Sequence, residues 1–241
     1  MMKKHENTSK KLAKGIGLIG LFSILLTSCL KENKSPGSTA PLALLSFIQA
    51  SPDQQPLDFY LNNNKVNADP VYYGNNINYV SAYAGTRIAN FYTTGTTNNI
   101  LSGTITLNPN TAYSLFLANK PTSPEIVLLT DTLNAPAAGF ASVRFINLCP
   151  DAPAPVSLDI QGLQTLATNV PYKSYTTFIP LNGKKSYTFE ARQGTTNTIL
   201  ATLPNVTLAA GSVYTIWFGG LGASTNNTDK LSLNLVNNAY F

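Results

Sequence analysis

The stretch Gly95-Thr96-Thr97-Asn98-Asn99-Ile100-Leu101 recurs 99 residues later, with one substitution, as Gly194-Thr195-Thr196-Asn197-Thr198-Ile199-Leu200. Further matches keep the same order, at offsets of 98 to 101 residues: Phe47-Ile48 with Phe145-Ile146, Pro52-Asp53 with Pro150-Asp151, Leu57-Asp58-Phe59 with Leu158-Asp159-Ile160, and Tyr113 with Tyr214. A period near 100 residues is too long for a solenoid unit and matches the size of a small domain. The sequence therefore predicts two copies of one module, over residues 42–138 and 139–241.

Short runs of alternating apolar and polar residues fill both copies. In Leu57–Leu61 and again in Tyr214–Phe218, every second residue is apolar. A period of two is typical of half-buried strands, and the turn clusters between the runs lie at spacings typical of sandwiches. The pattern predicts an all-β fold of two tandem immunoglobulin-like antiparallel β-sandwiches.

Each copy also has a leucine and a tyrosine six residues apart before a late strand. Leu208 and Tyr214 flank Gly211 in the second copy, and Tyr113 follows Asn110 at the same spacing in the first. This spacing resembles the tyrosine corner of Greek-key sandwiches, in which the phenol hydroxyl bonds to nearby backbone. The alternative is a pair of ordinary tyrosines at strand starts.

Two segments of the second copy carry a family resemblance. Val143–Pro153, followed by Val156–Ile160, resembles the opening motif of the DUF4397 family, and Leu208–Tyr214 resembles its last strand. Ser46–Asp53 in the first copy fits this motif less closely, because Gln54-Gln55 replaces Ala-Pro. The resemblance implies an extracytoplasmic β-sandwich protein, commonly a lipoprotein in Bacteroidetes. It implies no catalytic residue, because the family has no known function.

The first 41 residues read as a leader and a tether. A basic segment precedes the apolar run Gly15–Leu26, whose twelve residues would span about 18 Å as a helix, less than a bilayer core. The sequence therefore predicts a signal peptide over residues 1–28. Leu26-Thr27-Ser28-Cys29 resembles a bacterial lipobox, which predicts lipidation at Cys29 and a flexible tether over residues 29–41. An ordinary secretory signal followed by a chance cysteine is the alternative.

The formal net charge of +5 resides mostly in the leader. Five of the sixteen basic residues precede residue 28, and the chain from Cys29 onward has eleven basic and ten acidic residues. These basic residues are scattered, whereas nucleic-acid binding needs them clustered on one face. We expect no nucleic-acid partner. The expected location is the cell envelope, in the outer membrane through the lipid anchor, facing either the periplasm or the surface.

Several classes of chemistry lack their residues. The one histidine, His5, lies in the leader, so Ser–His and Cys–His catalysis have no base and a zinc site has no imidazole. Cys149 has no disulfide partner if Cys29 is acylated, and we expect it to pack as a small apolar side chain or, alternatively, to be a reactive thiol. We predict no catalytic residue, metal or cofactor. Calcium held by the loops at Asp53 and Asp151 remains an alternative.

The charged residues within strands are expected to be structural. Asp58 and Asp159 occupy equivalent places in the two copies, and alternation puts them on outward faces as solvated or turn-bonded side chains. Arg144 is expected to pair with a carboxylate. A hydrolase that uses two carboxylates is the least favoured function.

The clustered tyrosines are the residues that most suggest a binding surface. They cluster at corresponding places in the two copies, as Tyr72, Tyr73, Tyr79 and Tyr83 and as Tyr172 and Tyr175. Such rings suit contacts to glycans or proteins, although some of them could instead pack in the core. The predicted function is a non-enzymatic envelope lipoprotein that acts as a structural or interaction module, with an envelope protein or a glycan as partner. The alternative is a glycan-binding or adhesion lipoprotein that uses these loops.

Overall fold

The computed structural model describes residues 40–153, 155–194, 196–224, 226 and 229–241. The predicted signal peptide, the lipidation site Cys29 and the tether lie outside these residues, apart from the last two tether positions. All regular elements in the described part are strands. No helix there has the length and hydropathy to cross a membrane.

The first half of the described chain forms two four-stranded sheets. Its strands are β1 (Leu42–Gln49), β2 (Leu57–Leu61), β3 (Asn64–Lys65), β4 (Asn76–Tyr83), β5 (Gly85–Thr93), β6 (Asn99–Leu107), β7 (Ala112–Ala118) and β8 (Glu125–Asp131). The sheets have the orders β4-β1-β7-β8 and β3-β2-β5-β6. Their facing sides enclose one apolar core, in which the rings of Phe47, Phe59 and Phe91 lie with centroids 4.9–5.2 Å apart.

The second half repeats this topology strand for strand. Its strands are β9 (Phe140–Asn147), β10 (Val156–Ile160), β11 (Thr165–Val170), β12 (Ile179–Asn182), β13 (Lys185–Gln193), β14 (Ile199–Leu208), β15 (Ser212–Gly219) and β16 (Ser232–Tyr240). The orders β12-β9-β15-β16 and β11-β10-β13-β14 follow from those of the first half when eight is added to each strand number. The prediction of an all-β chain with two sandwiches is confirmed.

One pairing in each half differs from the antiparallel expectation. β1 pairs with β7 in parallel, and β9 pairs with β15 in parallel. Five strands separate the members of each pair along the chain, so the connection is a long crossover, which a parallel pair requires. All other pairings between strands are antiparallel.

Both tyrosine corners are present. The Tyr214 hydroxyl accepts a hydrogen bond from the Ala209 backbone N–H at 3.1 Å, and the Tyr113 hydroxyl accepts one from the Asn108 N–H at 3.0 Å. Gly211 and Asn110 both have positive φ, at 85° and 56°. The sequence spacing therefore correctly predicted a hydrogen bond between the strand tyrosine and the turn backbone in each half.

The two sheets that contain β1 and β9, here called the inner sheets, pack against each other. A third apolar cluster joins residues of both halves, including Ile48 and Phe116 from the first and Ile146 and Trp217 from the second. Three ion pairs also connect the halves: Lys120–Asp151 at 3.2 Å, Lys173–Glu125 at 2.6 Å and Arg144–Asp131 at 2.5 Å. The Lys173 ammonium donates a hydrogen bond to Glu125 and thereby lowers the pKa of that carboxyl. The fold is thus four layers of sheet.

The central strands of the inner sheets, such as β7 and β15, are therefore buried on both faces, which differs from the expected half-buried pattern. In β15, Tyr214, Ile216 and Phe218 face the core of the second half, whereas Trp217 faces the other half. Every residue of β15 is buried. The continuous apolar run Ile216–Phe218 was the signal of burial on both faces, since a strand with one wet face alternates.

Candidate functional site

The six tyrosines proposed as ligand-binding residues occupy different environments. Three are exposed, namely Tyr72, Tyr83 and Tyr175. The other three are half-buried, namely Tyr73, Tyr79 and Tyr172. The structure therefore does not present all six on one binding surface.

The half-buried tyrosines contact the interface between the halves. The Tyr73 ring lies edge-on to Trp217, with centroids 5.7 Å apart, and burial raises the pKa of its hydroxyl. The Tyr79 hydroxyl donates a hydrogen bond of 2.6 Å to Asp131. Burial, together with the neighbouring Asp131 carboxylate, raises the Tyr79 pKa. The Tyr172 hydroxyl is buried as well. Contacts across the interface, to Trp217 for Tyr73 and to Asn238 for Tyr79, account for the positions of these two tyrosines.

The exposed tyrosines do not form one strip. Tyr83 ends β4, whereas Tyr72 precedes the start of that strand at Asn76. Seven steps of strand separate Asn76 from Tyr83, which amounts to about 23 Å. Tyr175 belongs to the second half and forms an isolated bridge with Ile146. A flat aromatic platform on the predicted loops is therefore absent from the described surface.

A buried polar network crosses the interface. Arg144 on β9 forms an ion pair with Asp131 on β8, at 2.5 Å between Nη2 and Oδ1, and both side chains are at most 2% exposed. The Arg144 Nε–H donates to the Thr215 hydroxyl, and Nη2 donates to the Ser114 hydroxyl. Asn238 accepts a hydrogen bond from Thr215 at 2.6 Å. The expected carboxylate partner of Arg144 is thus a residue of the other half.

A cleft lies beside this network. Its volume is about 650 Å³. Its lining residues come from the end of β8, the linker between the halves, β9 and the loop before β12: Thr130, Thr132, Asn134, Ala135, Pro136, Ala137, Ser142, Arg144, Tyr175, Thr176, Thr177 and Phe178. Arg144 is the one charged side chain among them, and its guanidinium lies 4.9 Å from the Phe178 ring centroid.

The cleft sits where the two copies differ. β4 has eight residues, whereas its counterpart β12 has four. The pairings Leu45–Val80 and Val143–Ile179 are equivalent, so Tyr79 corresponds to Phe178. Residues 175–178 precede the shortened β12 and line the cleft.

Asp58 and Asp159, the aspartates at equivalent places in the two copies, are both bonded to neighbouring side chains and are not simply solvated. Asp58 is buried, accepts a hydrogen bond from the Gly95 backbone N–H and lies 2.9 Å from the Lys65 ammonium. Burial alone would raise its pKa, but the bonds from Lys65, Gly95 and Asn67 outweigh that effect and lower it. The expectation of a turn-bonded side chain is confirmed for Asp58, and that of a solvated one is wrong.

The second-copy aspartate has a different partner. Asp159 lies opposite Glu190 on the neighbouring strand, and Arg192 contacts both carboxylates, at 3.2 Å and 2.5 Å. No group of three or more metal-binding side chains of the His, Cys, Asp and Glu types occurs among the described residues.

Cys149 packs inside the second half. It belongs to the core cluster and forms no disulfide. Its thiol donates toward the Gly220 carbonyl at 3.3 Å, and burial raises its pKa to about 12. A thiol with so high a pKa is protonated at neutral pH and therefore a poor nucleophile.

Comparison with known proteins supports the resemblance seen in the sequence. The family model "Domain of unknown function (DUF4397)" matches residues 43–161, which cover nearly all of the first half together with β9 and β10. No curated protein matches the chain. The chain is similar to the crystal structure of CBMbc (family CBM26) from Eubacterium rectale Amy13K in complex with maltoheptaose, at 9% identity and a TM-score of 0.26. That alignment covers 78% of this chain and 100% of the other.

Proposed function

We propose that this chain is a non-enzymatic lipoprotein of the cell envelope, held in the outer membrane by acylated Cys29, with its two sandwiches acting as an interaction module. The anchor is inferred from the apolar run Gly15–Leu26, which ends in the lipobox-like Leu26-Thr27-Ser28-Cys29. An acyl-modified cysteine at the start of a polar tether would leave the folded body outside the bilayer.

One observation carries the non-enzymatic part of the proposal. The one charged side chain that lines this cleft, Arg144, is already paired with the buried Asp131. An arginine keeps its proton at neutral pH, so it cannot serve as a general acid or base there. The remaining polar groups of the cleft are hydroxyls and one side-chain amide, which suit binding.

The membrane anchor is tested by changing Cys29→Ser and comparing Cys149→Ser as the matched control. We expect the Cys29 variant to leave the membrane fraction and to lose incorporation of labelled fatty acid, because no thiol remains at the lipobox. The control should stay in membranes, because the Cys149 thiol is buried in the core. Full membrane retention of the Cys29 variant would contradict the anchor.

A second function, glycan binding, is favoured by the cleft and not by the tyrosine-rich loops. Tyr72 and Tyr83 stand at opposite ends of β4, so they form no common platform. Tyr175 is the one proposed tyrosine that lines the cleft, where Thr176 and Thr177 follow it.

A further inference from the structure

We propose that the cleft between the linker and residues 175–178 binds an uncharged, hydroxyl-rich ligand, a short neutral oligosaccharide. The inference rests on the proposed function as a binding module and names the ligand class of that module. The volume of the cleft, about 650 Å³, falls within the range of ligand pockets, about 300–1,000 Å³.

A hydrogen-bond donor at the cleft remains without a partner. The Arg144 side chain is 2% exposed, and its Nε and Nη2 atoms bond Thr215, Ser114 and Asp131. Its other terminal nitrogen, Nη1, forms no hydrogen bond with any residue in the described ranges, although Arg144 lines the cleft. Nη1 is not one of the buried side-chain atoms that lack a partner, so it keeps access to solvent, and a ligand oxygen can accept its hydrogen bond in place of water.

The charge balance of the site selects a neutral ligand. Asp131 already supplies the negative charge that balances the Arg144 guanidinium, and no lysine or second arginine lines the cleft. An acidic ligand would lose hydration on entering the cleft. No uncompensated positive charge there would offset that desolvation penalty, so binding of an anion is unfavourable. A sugar hydroxyl or ring oxygen can accept the Nη1 hydrogen bond without that cost.

The other lining residues offer both hydrogen-bonding groups and an aromatic face, the two kinds of surface that a saccharide can contact. Five hydroxyls and one amide can each donate and accept hydrogen bonds, from Thr130, Thr132, Asn134, Ser142, Thr176 and Thr177. Tyr175 is 52% exposed and offers an aromatic face for the C–H side of a sugar ring. Sugar rings present just this combination of hydroxyl edges and apolar faces.

The arrangement is also pre-organised. The ion pair and the Phe178 ring, 4.9 Å from the guanidinium, fix the position of Arg144 before any ligand arrives. The Thr176 hydroxyl accepts a hydrogen bond from the Phe145 N–H at 3.0 Å, which ties the loop to β9. A site that needs little ordering on binding loses little affinity to conformational entropy.

The test is calorimetric titration of the full-length protein in detergent. The probes are maltoheptaose, cellopentaose, xylopentaose, mannopentaose and chitopentaose, with tetragalacturonate as the acidic comparison. We expect at least one neutral probe to bind and the Tyr175→Ala variant to bind it at least tenfold more weakly. The control is Tyr83→Ala, because Tyr83 is 61% exposed, does not line the cleft and should not change the affinity.

Three results would overturn the proposal: no binding of any neutral probe, binding of tetragalacturonate alone, or neutral binding that Tyr83→Ala weakens and Tyr175→Ala does not. Circular dichroism of each variant before titration separates loss of ligand contact from loss of fold. The outcome is independent of the anchor, because fractionation of the Cys29→Ser variant reports on the membrane and titration reports on the cleft. A failure of either proposal is therefore distinguishable from a failure of the other.

Discussion

Arg144 is the residue at which the two copies diverge most in chemistry. Its parallel-pair partner is Thr215, and the equivalent pair in the first half is Ser46 with Ser114. One copy thus has an arginine where the other has a serine, and the arginine reaches Asp131 across the interface. Removing one member of such a buried pair leaves an uncompensated charge, whereas replacing both with apolar groups is often tolerated.

At this scale we predict that Arg144→Met lowers the free energy of unfolding by about 3–5 kcal/mol. The double variant Arg144→Met with Asp131→Leu should recover most of that loss, since neither charge then remains buried. Urea unfolding followed by circular dichroism measures both. Lys173→Met is the control, because Lys173 and Glu125 form an exposed pair worth less than about 1 kcal/mol. A loss below about 1 kcal/mol for Arg144→Met would contradict the structural role of the pair.

The sequence could predict that Arg144 is structural but not which carboxylate it meets. A charged side chain inside an apolar strand needs a partner when it is buried, and this much follows from composition. The partner, Asp131, lies in the other half, so its identity depends on how the inner sheets face each other. The Nη1 atom at the cleft depends on the same packing, and so no spacing in the sequence points to it.

Single elements were easier to predict where a local rule applies. The corner tyrosines have a fixed spacing to their turn residue, and both hydroxyl bonds are present. The length of β12 was not predictable from its similarity to β4, because strand pairing depends on packing around each copy as well as on the residue pattern. The cleft therefore lies where the two copies differ in structure, although their strand topology is the same.

The turn between β14 and β15 provides the prediction at the scale of elements. Gly211 has a φ of +85°, and a Cβ there would lie 2.7 Å from the Phe241 carbonyl oxygen. We expect Gly211→Ala to lower the free energy of unfolding by about 1–2 kcal/mol, the cost of left-handed backbone for a side-chain-bearing residue. Thermal and urea unfolding would measure the loss.

The equivalent turn of the first half supplies the control for this prediction. Asn110 has a φ of 56° and donates its N–H to Leu42, as Gly211 donates to Phe140. Asn110→Gly should change stability by less than about 0.5 kcal/mol, because asparagine already tolerates that conformation. A Gly211→Ala variant as stable as the parent would show that the turn relaxes without strain.

The whole molecule differs from the picture of two separate sandwiches that the internal repeat suggests. The repeat predicted the two modules and their strands, because each copy has its own runs of alternating apolar and polar residues. It did not predict that the two inner sheets pack against each other, although the apolar run Ile216–Phe218 indicated a strand buried on both faces. An apolar cluster of this kind, with Ile48, Phe116, Ile146 and Trp217, would be a large exposed patch in an isolated half.

The central claim is that the two halves form one cooperative body through their inner sheets. The chain has a single tryptophan, Trp217, and it lies fully buried in the interface, so its fluorescence reports on that interface and on strand β15, which carries it. Urea unfolding should give the same midpoint by Trp217 fluorescence and by far-ultraviolet circular dichroism, because separating the halves would expose the shared apolar faces. A fluorescence transition at clearly lower urea than the loss of strand signal would contradict the claim.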